Sequence, residues 1–556
     1  MKPCLFGHSV TAFLLAGLAF TSSASAETTD PHVLRDRIDM LVSTHEATIE
    51  GAPIAALNLI DALYARREFA PAWSDPKMVE ELYERVLRSA EFGLSPDDFH
   101  AQQLGARVRP GARVQDPAFR ADTDILCTDA LARLAITLHF GKLDPTVLDP
   151  AWNFSRQIVR QEPLAYFNQI LDTKTVALAL DTLGPQNPQY RRFRHGLRDY
   201  RVIMAAGGWP TVSTGPVLAI GSKGPRVAEL RQRLRATGDL STPDPANPQE
   251  FDSGLEAAVK QFQLRHGIDA DGKVGPRSIE ELNVPVEVRI SQLRASLERM
   301  RWVFRDLPDR YLIVDIAGFH ASIMENGEEV WKTPVQVGKP YHATPVFKDT
   351  MTYLDFNPTW TIPPGILRRD TLPAIRSDPS YLQRKNMTVL TTSGQVVDPS
   401  TIDWAATATS GFPYMIRQEP GPDNALGRVK FMFPNKHMVY LHDTPSTSLF
   451  GRSERTFSSG CIRVQDPFGL AELLLEDQGW DRARIDQAVA SGKTTRVDLE
   501  NPFPVFLLYW TAEVDEEGTV FFRRDVYNRD APIIAGLDTP YRVSLPGGIQ
   551  DALEKR

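Results

Sequence analysis

The chain changes texture once, near Arg310, and that change limits what it can fold into. Before it, apolar residues recur at helical spacing: Leu57, Ile60, Leu63 and Tyr64 share one helix face. LARLAITLHFGKLDP (131–145) closes such a run with glycine and then proline, a usual helix stop. After it, YLIVDIAGFHASIMENGEEVWKTPVQVGK sets apolar runs around Asn326-Gly327, a strong hairpin signal. A multi-domain α+β chain is expected, and 556 residues predict three or four domains.

The N-terminus reads as an export signal. Lys2 supplies the positive end, residues 11–20 the apolar core, and Ala24-Ser25-Ala26 a cleavage site. Residues 1–26 are therefore expected to leave, with an uncleaved anchor as the alternative. The apolar run is too short to favour a membrane span. Beyond Cys4 only Cys127 and Cys461 remain, so the exported body must be held by its cores and not by disulfides. Cys127, inside ILCTDALARLAITLHF, is expected to be inert core. A net charge of -8 and no Lys/Arg-rich run argue against nucleic acid as a partner.

The bodies can be placed along the chain. Residues 27–214 are expected to be a helical domain. In 215–285, a Gly/Pro turn precedes Val227, Leu230 and Leu234 on one helix face, and Leu255, Val259 and Phe262 repeat the pattern. Ile290, Leu293, Leu297 and Met300 predict an amphipathic connector helix in 286–308. Residues 309–500 carry the β texture. Within them, 366–425 is polar and irregular, and so long an irregular stretch inside a compact domain points to a functional lid. In 501–556, a hairpin about Glu516-Glu517-Gly518 is expected to extend the sheet.

The chemistry concentrates between His442 and Cys461. The apolar run Met438–Leu441, with strand character, delivers the histidine; nineteen positions on, the cysteine follows Ser458, Ser459 and Gly460. A thiolate is the attacking species, and a neighbouring imidazole can take the thiol proton to leave a thiolate–imidazolium pair. The loop between them suits a chain that turns back. Gly460 lets backbone approach a ligand, and N–H groups near Ser459, Gly460 and Cys461 could hold an oxyanion. Arg463 faces the same way as Cys461 in an extended segment and could grip a carboxylate. Asp443, next to His442, is poorly placed to orient it. His437, His442 and Cys461 match no common zinc spacing.

SSGCIRV preceded by YLHDTP resembles the signature of the L,D-transpeptidase (YkuD) family. Ser459 stands where many members have a second histidine, and Arg463 where many have asparagine or arginine, as in the large, multi-domain periplasmic branch. Residues 27–214 resemble that branch's scaffold, 215–285 the small three-helix type-1 peptidoglycan-binding domain, and 366–425 a capping insertion. The resemblance implies a helical scaffold, a peptidoglycan-binding-like domain and a mostly β catalytic domain with an inserted lid. It implies that a backbone carbonyl orients the histidine. It also makes Trp360, in NPTWTIPPGI, a candidate groove contact, with Tyr440 beside it.

The activity implied is cross-linking of peptidoglycan stem peptides. Cys461 would attack the bond between the third residue and D-alanine of a tetrapeptide stem, with His442 as base. D-Alanine would leave and a second stem's amine would accept the acyl group. No metal or organic cofactor is required. An outer-membrane lipoprotein acceptor and wall synthases are further partners to consider, and the address is periplasmic. Two rivals stand beside this reading: a thiol hydrolase of L,D-carboxypeptidase type on the same fold, and a wall-binding protein with a silent catalytic domain.

Overall fold

The computed structural model describes residues 30–44, 47–112, 116–154, 163–305, 307–378, 380–406 and 411–542. The expected export signal, with Cys4, lies outside them. None of the described helices is long and apolar enough to cross a membrane.

The first body is helical, as its periodicity requires, with one small hairpin, β1 (Thr48–Ile49) and β2 (Ala52–Pro53). Its axis is the helix Pro117–Phe140, which buries Ile125, Leu126, Leu131 and the free thiol of Cys127. The helix stops at Gly141, whose φ of 84° suits glycine. A Cβ there would lie 2.4 Å from Trp302 Nε1, so the stop is also the point where another helix presses in.

That second helix is Val286–Val303, and it differs from the expected amphipathic connector. It is buried on nearly every side, including Arg289, Gln292, Ser296, Glu298, Arg299 and Arg301. A charge inside a protein needs a partner, and each of the four charged residues among these has one. Arg301 pairs with Glu298 at 2.5 Å, Arg299 with Asp530 at 2.6 Å, and Arg289 with Glu281 at 2.6 Å. Glu298 also accepts the Leu143 N–H of the helical body at 2.8 Å. The polar positions that make this helix look solvent-facing in one dimension are the ones that tie the bodies together.

Three further helices, Pro225–Ala236, Ser253–Arg265 and Pro276–Leu282, enclose Val227, Leu230, Leu255, Val259 and Phe262. Arg265 docks this small domain on its neighbour: it pairs with Asp239 at 2.6 Å and donates to the Val520 carbonyl at 2.6 Å.

Beyond Arg310 the strands are β3 (Arg310–Asp315), β4 (His320–Glu325), β5 (Glu328–Gly338) and β6 (Phe347–Phe356). An insertion follows with β7 (Trp360–Thr361), β8 (Met387–Leu390), β9 (Val396–Val397) and β10 (Met415–Gln418). The main sheet resumes as β11 (Val429–Met432), β12 (Leu441–His442), β13 (Thr456–Ser458), β14 (Ile462–Val464) and β15 (Thr495–Leu508). A last hairpin comprises β16 (Ala512–Val514) and β17 (Val520–Phe522).

The main sheet runs β13-β5-β14-β12-β11-β6-β15-β3-β4, and β4 pairs again with β5. The long β5 thus pairs with three strands, β4, β14 and β13, and closes the sheet on itself. The β4–β5 turn is the expected one, with Asn326 at φ 51° and Gly327 at φ 87°. Leu354, Phe431, Leu441 and Ile462 sit opposite one another on four adjacent strands and point into the core.

Two expectations are corrected here. The insertion is not irregular: β7-β10-β8-β9 order as follows, β7 beside β10, β10 beside β8, β8 beside β9, around a core of their own that includes Ile362, Leu372, Ile375 and Ile416. Its strands were masked in the sequence by their shortness and by the polar turns between them. The C-terminal region does not add a hairpin to the sheet edge. Instead β15 crosses residue 500 and lies inside the sheet, between β6 and β3. The β16–β17 hairpin stands apart and meets the small helical domain through Val520. The chain then returns to the first body, where Ile533, Leu537 and Tyr541 join its core.

Glu298→Ala tests the assembly. It strands the buried Arg301 charge, and the expected loss is about 3–5 kcal/mol in urea unfolding. A loss under about 1 kcal/mol would mean the helix does not bind the bodies in this way.

Candidate functional site

Adjacent rows of a sheet point to opposite faces. The row next to the buried Leu354–Phe431–Leu441–Ile462 set is polar. Arg496, Asp355, Lys430, His442, Arg463 and Gln336 lie opposite one another on β15, β6, β11, β12, β14 and β5. His442 and Arg463 are direct partners in a parallel pair. One step back in the same register, Tyr440 and Cys461 are neighbours, and the Ile462 N–H donates to the Tyr440 carbonyl at 3.0 Å. The four side chains of Tyr440, His442, Cys461 and Arg463 therefore form a block on one face. The chain does turn back between His442 and Cys461, but through the 3₁₀ turn Thr447–Gly451 and β13, so the strands that meet are parallel and not a hairpin.

The ring of His442 is buried, and its Nδ1 lies 2.5 Å from the Asp443 carbonyl. A carbonyl only accepts, so Nδ1 carries the proton and Nε2 is the basic nitrogen. The Asp443 carboxylate is occupied elsewhere, accepting the Arg428 N–H at 2.8 Å and the Thr444 N–H at 2.7 Å. Burial, with Arg463 and Lys430 nearby, pushes the imidazole down to about 3, against the pull of the Asp443 and Leu426 carbonyls. Burial also pushes the Cys461 thiol up, while hydrogen bonds from Tyr440 and the charges of Lys430 and Arg463 oppose it.

Both shifts favour the uncharged forms: burial and the two cations do so for the imidazole, and burial does so for the thiol. Cys461 Sγ lies 3.8 Å from the Met438 carbonyl, and the thiol is half-buried.

The turn before the cysteine is held by residues that the sequence reading passed over. Ser458 Oγ donates to the Cys461 carbonyl at 2.6 Å and accepts the Gly460 N–H at 3.1 Å. Gly460 has φ 116°, which favours glycine, and its carbonyl accepts from Thr344 Oγ1 at 2.8 Å. The Gly460 N–H is already used, so the expectation that it holds an oxyanion is corrected. Ser459 is exposed and makes neither of these bonds; its neighbour Ser458 does. A buried serine two positions before the glycine could have been read as the anchor, since alternate residues of β13 face the core.

Arg463 donates to Gln336 Oε1 at 3.2 Å, and its Nε is buried without a hydrogen-bond partner among the described residues. Lys430 places its ammonium 4.2 Å from the centre of the Tyr440 ring. Trp360 belongs to the insertion and not to the main sheet, where it pairs with Gln418 of β10. His437 packs instead on Phe347, ring centres 4.9 Å apart.

The comparisons with known proteins agree with this layout. Residues 309–497 match the L,D-transpeptidase catalytic domain (YkuD), 223–282 the family described as "Putative peptidoglycan binding domain", and 58–197 the scaffold domain. The chain carries a YkuD-type catalytic domain and a type-1 peptidoglycan-binding domain. A Haemophilus influenzae protein named "Putative L,D-transpeptidase" is 37% identical over 231 residues, or 41% of this chain and 47% of that protein. The matched region thus spans about half the length of that curated relative. Two solved structures also align: an L,D-transpeptidase from Xylanimonas cellulosilytica (15% identity, 53% of this chain, 99% of that chain, TM-score 0.18). The other is an L,D-transpeptidase from Stackebrandtia nassauensis (14% identity, 54% of this chain, 96% of that chain, TM-score 0.19).

The protonation states carry a testable consequence. Because the folded imidazole sits far below its ordinary range, the His442 ring should stay neutral by NMR from pH 8 down to about 4. Alkylation of Cys461 by iodoacetamide should still be climbing at pH 9. A rate plateau between pH 5 and 7, with a charged imidazole, would show a preformed ion pair instead.

Proposed function

We propose that the protein is a peptidoglycan L,D-transpeptidase working through a cysteine acyl-enzyme. The reading is carried by one observation: Cys461 and a carbonyl-oriented His442 share one face of two parallel strands. The catalytic-domain match and the named relative support the reaction class.

The donor is a tetrapeptide stem. As Cys461 Sγ turns to the substrate, His442 Nε2 takes its proton and Sγ bonds to the carbonyl carbon that precedes D-alanine. Starting from a neutral pair means that this proton moves during attack, not before it. The Cys461 N–H is the donor left for the resulting oxyanion, as Gly460 is engaged with Ser458. The carbon–nitrogen bond then breaks, the imidazolium returns its proton to the departing amine, and D-alanine leaves. An amine from a second stem attacks the thioester, gives up a proton to His442, and the thiol recovers it as the sulfur departs.

Arg463 and Lys430 flank the sulfur and suit the carboxylates of a stem peptide. Trp360 and Tyr440 close the groove from the side of the insertion. Peptidoglycan as substrate puts the site of action outside the cytoplasm, in keeping with a cleaved export signal in residues 1–26, and here the periplasm. A lipoprotein in place of the second stem would need the same amine chemistry.

Mass analysis of purified tetrapeptide muropeptides after incubation tests the proposal. Wild type should yield cross-linked dimers with loss of D-alanine; tripeptides alone would identify a hydrolase. Cys461→Ala should give neither product, and continued product would overturn the nucleophile. His442→Gln should slow acylation about 10²–10⁴-fold. Asp443→Asn should leave the rate nearly unchanged, because that carboxylate serves two backbone N–H groups.

A further inference from the structure

A cavity of about 170 Å³ opens at a junction of segments distant from one another in sequence, Val346 among its lining residues. Residues 145–152 of the helical body form one wall and residues 299–303 of the buried helix another; residues 508–510 of β15 and the C-terminal residues 528–533 complete it. The rings of Trp152, Trp302, Tyr509 and Trp510 line it.

Two of its lining residues carry donors with nothing to donate to. Trp152 Nε1 and Arg299 Nη2 are buried and without a hydrogen-bond partner among the described residues. Arg299 is only 7% exposed, so bulk water does not supply one. Orphaned donors of this kind are unfavourable, and two in one cavity point to an occupant that accepts.

The charges at the cavity are balanced already. Arg299 pairs with Asp530 at 2.6 Å, and Arg529 Nη1 lies 3.2 Å from Asp149. A carboxylate ligand would bring a buried negative charge with no free cation to meet it. A neutral molecule with several acceptors meets the need without that penalty. Aromatic walls favour a body that presents flat C–H faces, and a few fixed polar groups then set its orientation.

We propose that this cavity binds an N-acetylated amino-sugar unit, its acetamido carbonyl and a ring hydroxyl receiving the two donors. The proposal rests on the reading of the chain as a peptidoglycan enzyme, since wall glycan supplies that chemistry. It makes the junction a glycan subsite separate from the small helical domain at 215–285. The subsite is also connected to the catalytic turn. Arg529 Nη2 donates to the Thr344 carbonyl at 3.4 Å, and Thr344 Oγ1 donates to the Gly460 carbonyl at 2.8 Å.

The test uses the full chain as Cys461→Ala, so that binding is read without turnover. N-acetylglucosamine and its β-1,4 dimer are titrated by calorimetry and tryptophan fluorescence, with glucose and sodium acetate as controls. Saturable binding of the acetamido sugars is expected, with glucose weaker by about tenfold for the lost acceptor. Trp152→Phe keeps the ring and removes one donor, and should weaken the sugar about tenfold. Leu148→Trp fills the cavity and should abolish binding, with unchanged thermal unfolding showing that the fold is intact.

No saturation at millimolar sugar would leave the donors to water and overturn the proposal. So would acetate or glucose binding as tightly, or sugar affinity unmoved by both variants, which would put the site on another surface. Loss of muropeptide cross-linking in wild type with sugar binding intact would sink the enzymatic reading instead, so the two failures can be told apart.

Discussion

Two short strands decide what this molecule can do. Leu441–His442 and Ile462–Val464 pair in parallel with Leu441 opposite Ile462. With side chains alternating, that single register sends Leu441 and Ile462 into the core and brings Tyr440, His442, Cys461 and Arg463 out together. A slip of one residue would reverse both sets, burying the imidazole side and exposing two core residues. The apolar row is therefore what fixes the polar row that carries His442 and Arg463. The surrounding closed sheet, the Ser458 bonds behind the turn and the Thr344 bond to Gly460 hold that register in place.

The electrostatics follow from the same arrangement. The polar row sets cations on both sides of the imidazole, and with burial they hold His442 well below the usual histidine range, while burial pushes the Cys461 thiol up. The wider assembly obeys the same rule at larger scale. The helix Val286–Val303 brings charged side chains into the interior, and each meets a partner from a different body or from its own next turn.

Much of this could be read in one dimension. The Asn326-Gly327 turn, the glycine stop at residue 141 and the inert Cys127 each follow from local chemistry, and the backbone carbonyl on His442 follows from the family resemblance. What failed were judgements that depend on partners distant in sequence. The polar face of the connector looks solvent-exposed until Asp530 and Glu281 are placed against it. The insertion looks irregular because its strands are two to four residues long, below the length at which alternation can be seen. The strand crossing residue 500 looked like the start of a tail because its partners, β6 and β3, lie well over a hundred residues upstream.

The central claim is that one sulfur acts with one ring held beside it by strand register. Acid-quenched incubation with a tetrapeptide donor, followed by peptide mapping, examines it directly. The account predicts a thioester on Cys461 with the mass of the donor less D-alanine, forming much more slowly in His442→Gln protein. An adduct on any other residue, or one that forms at the wild-type rate without the imidazole, would contradict it.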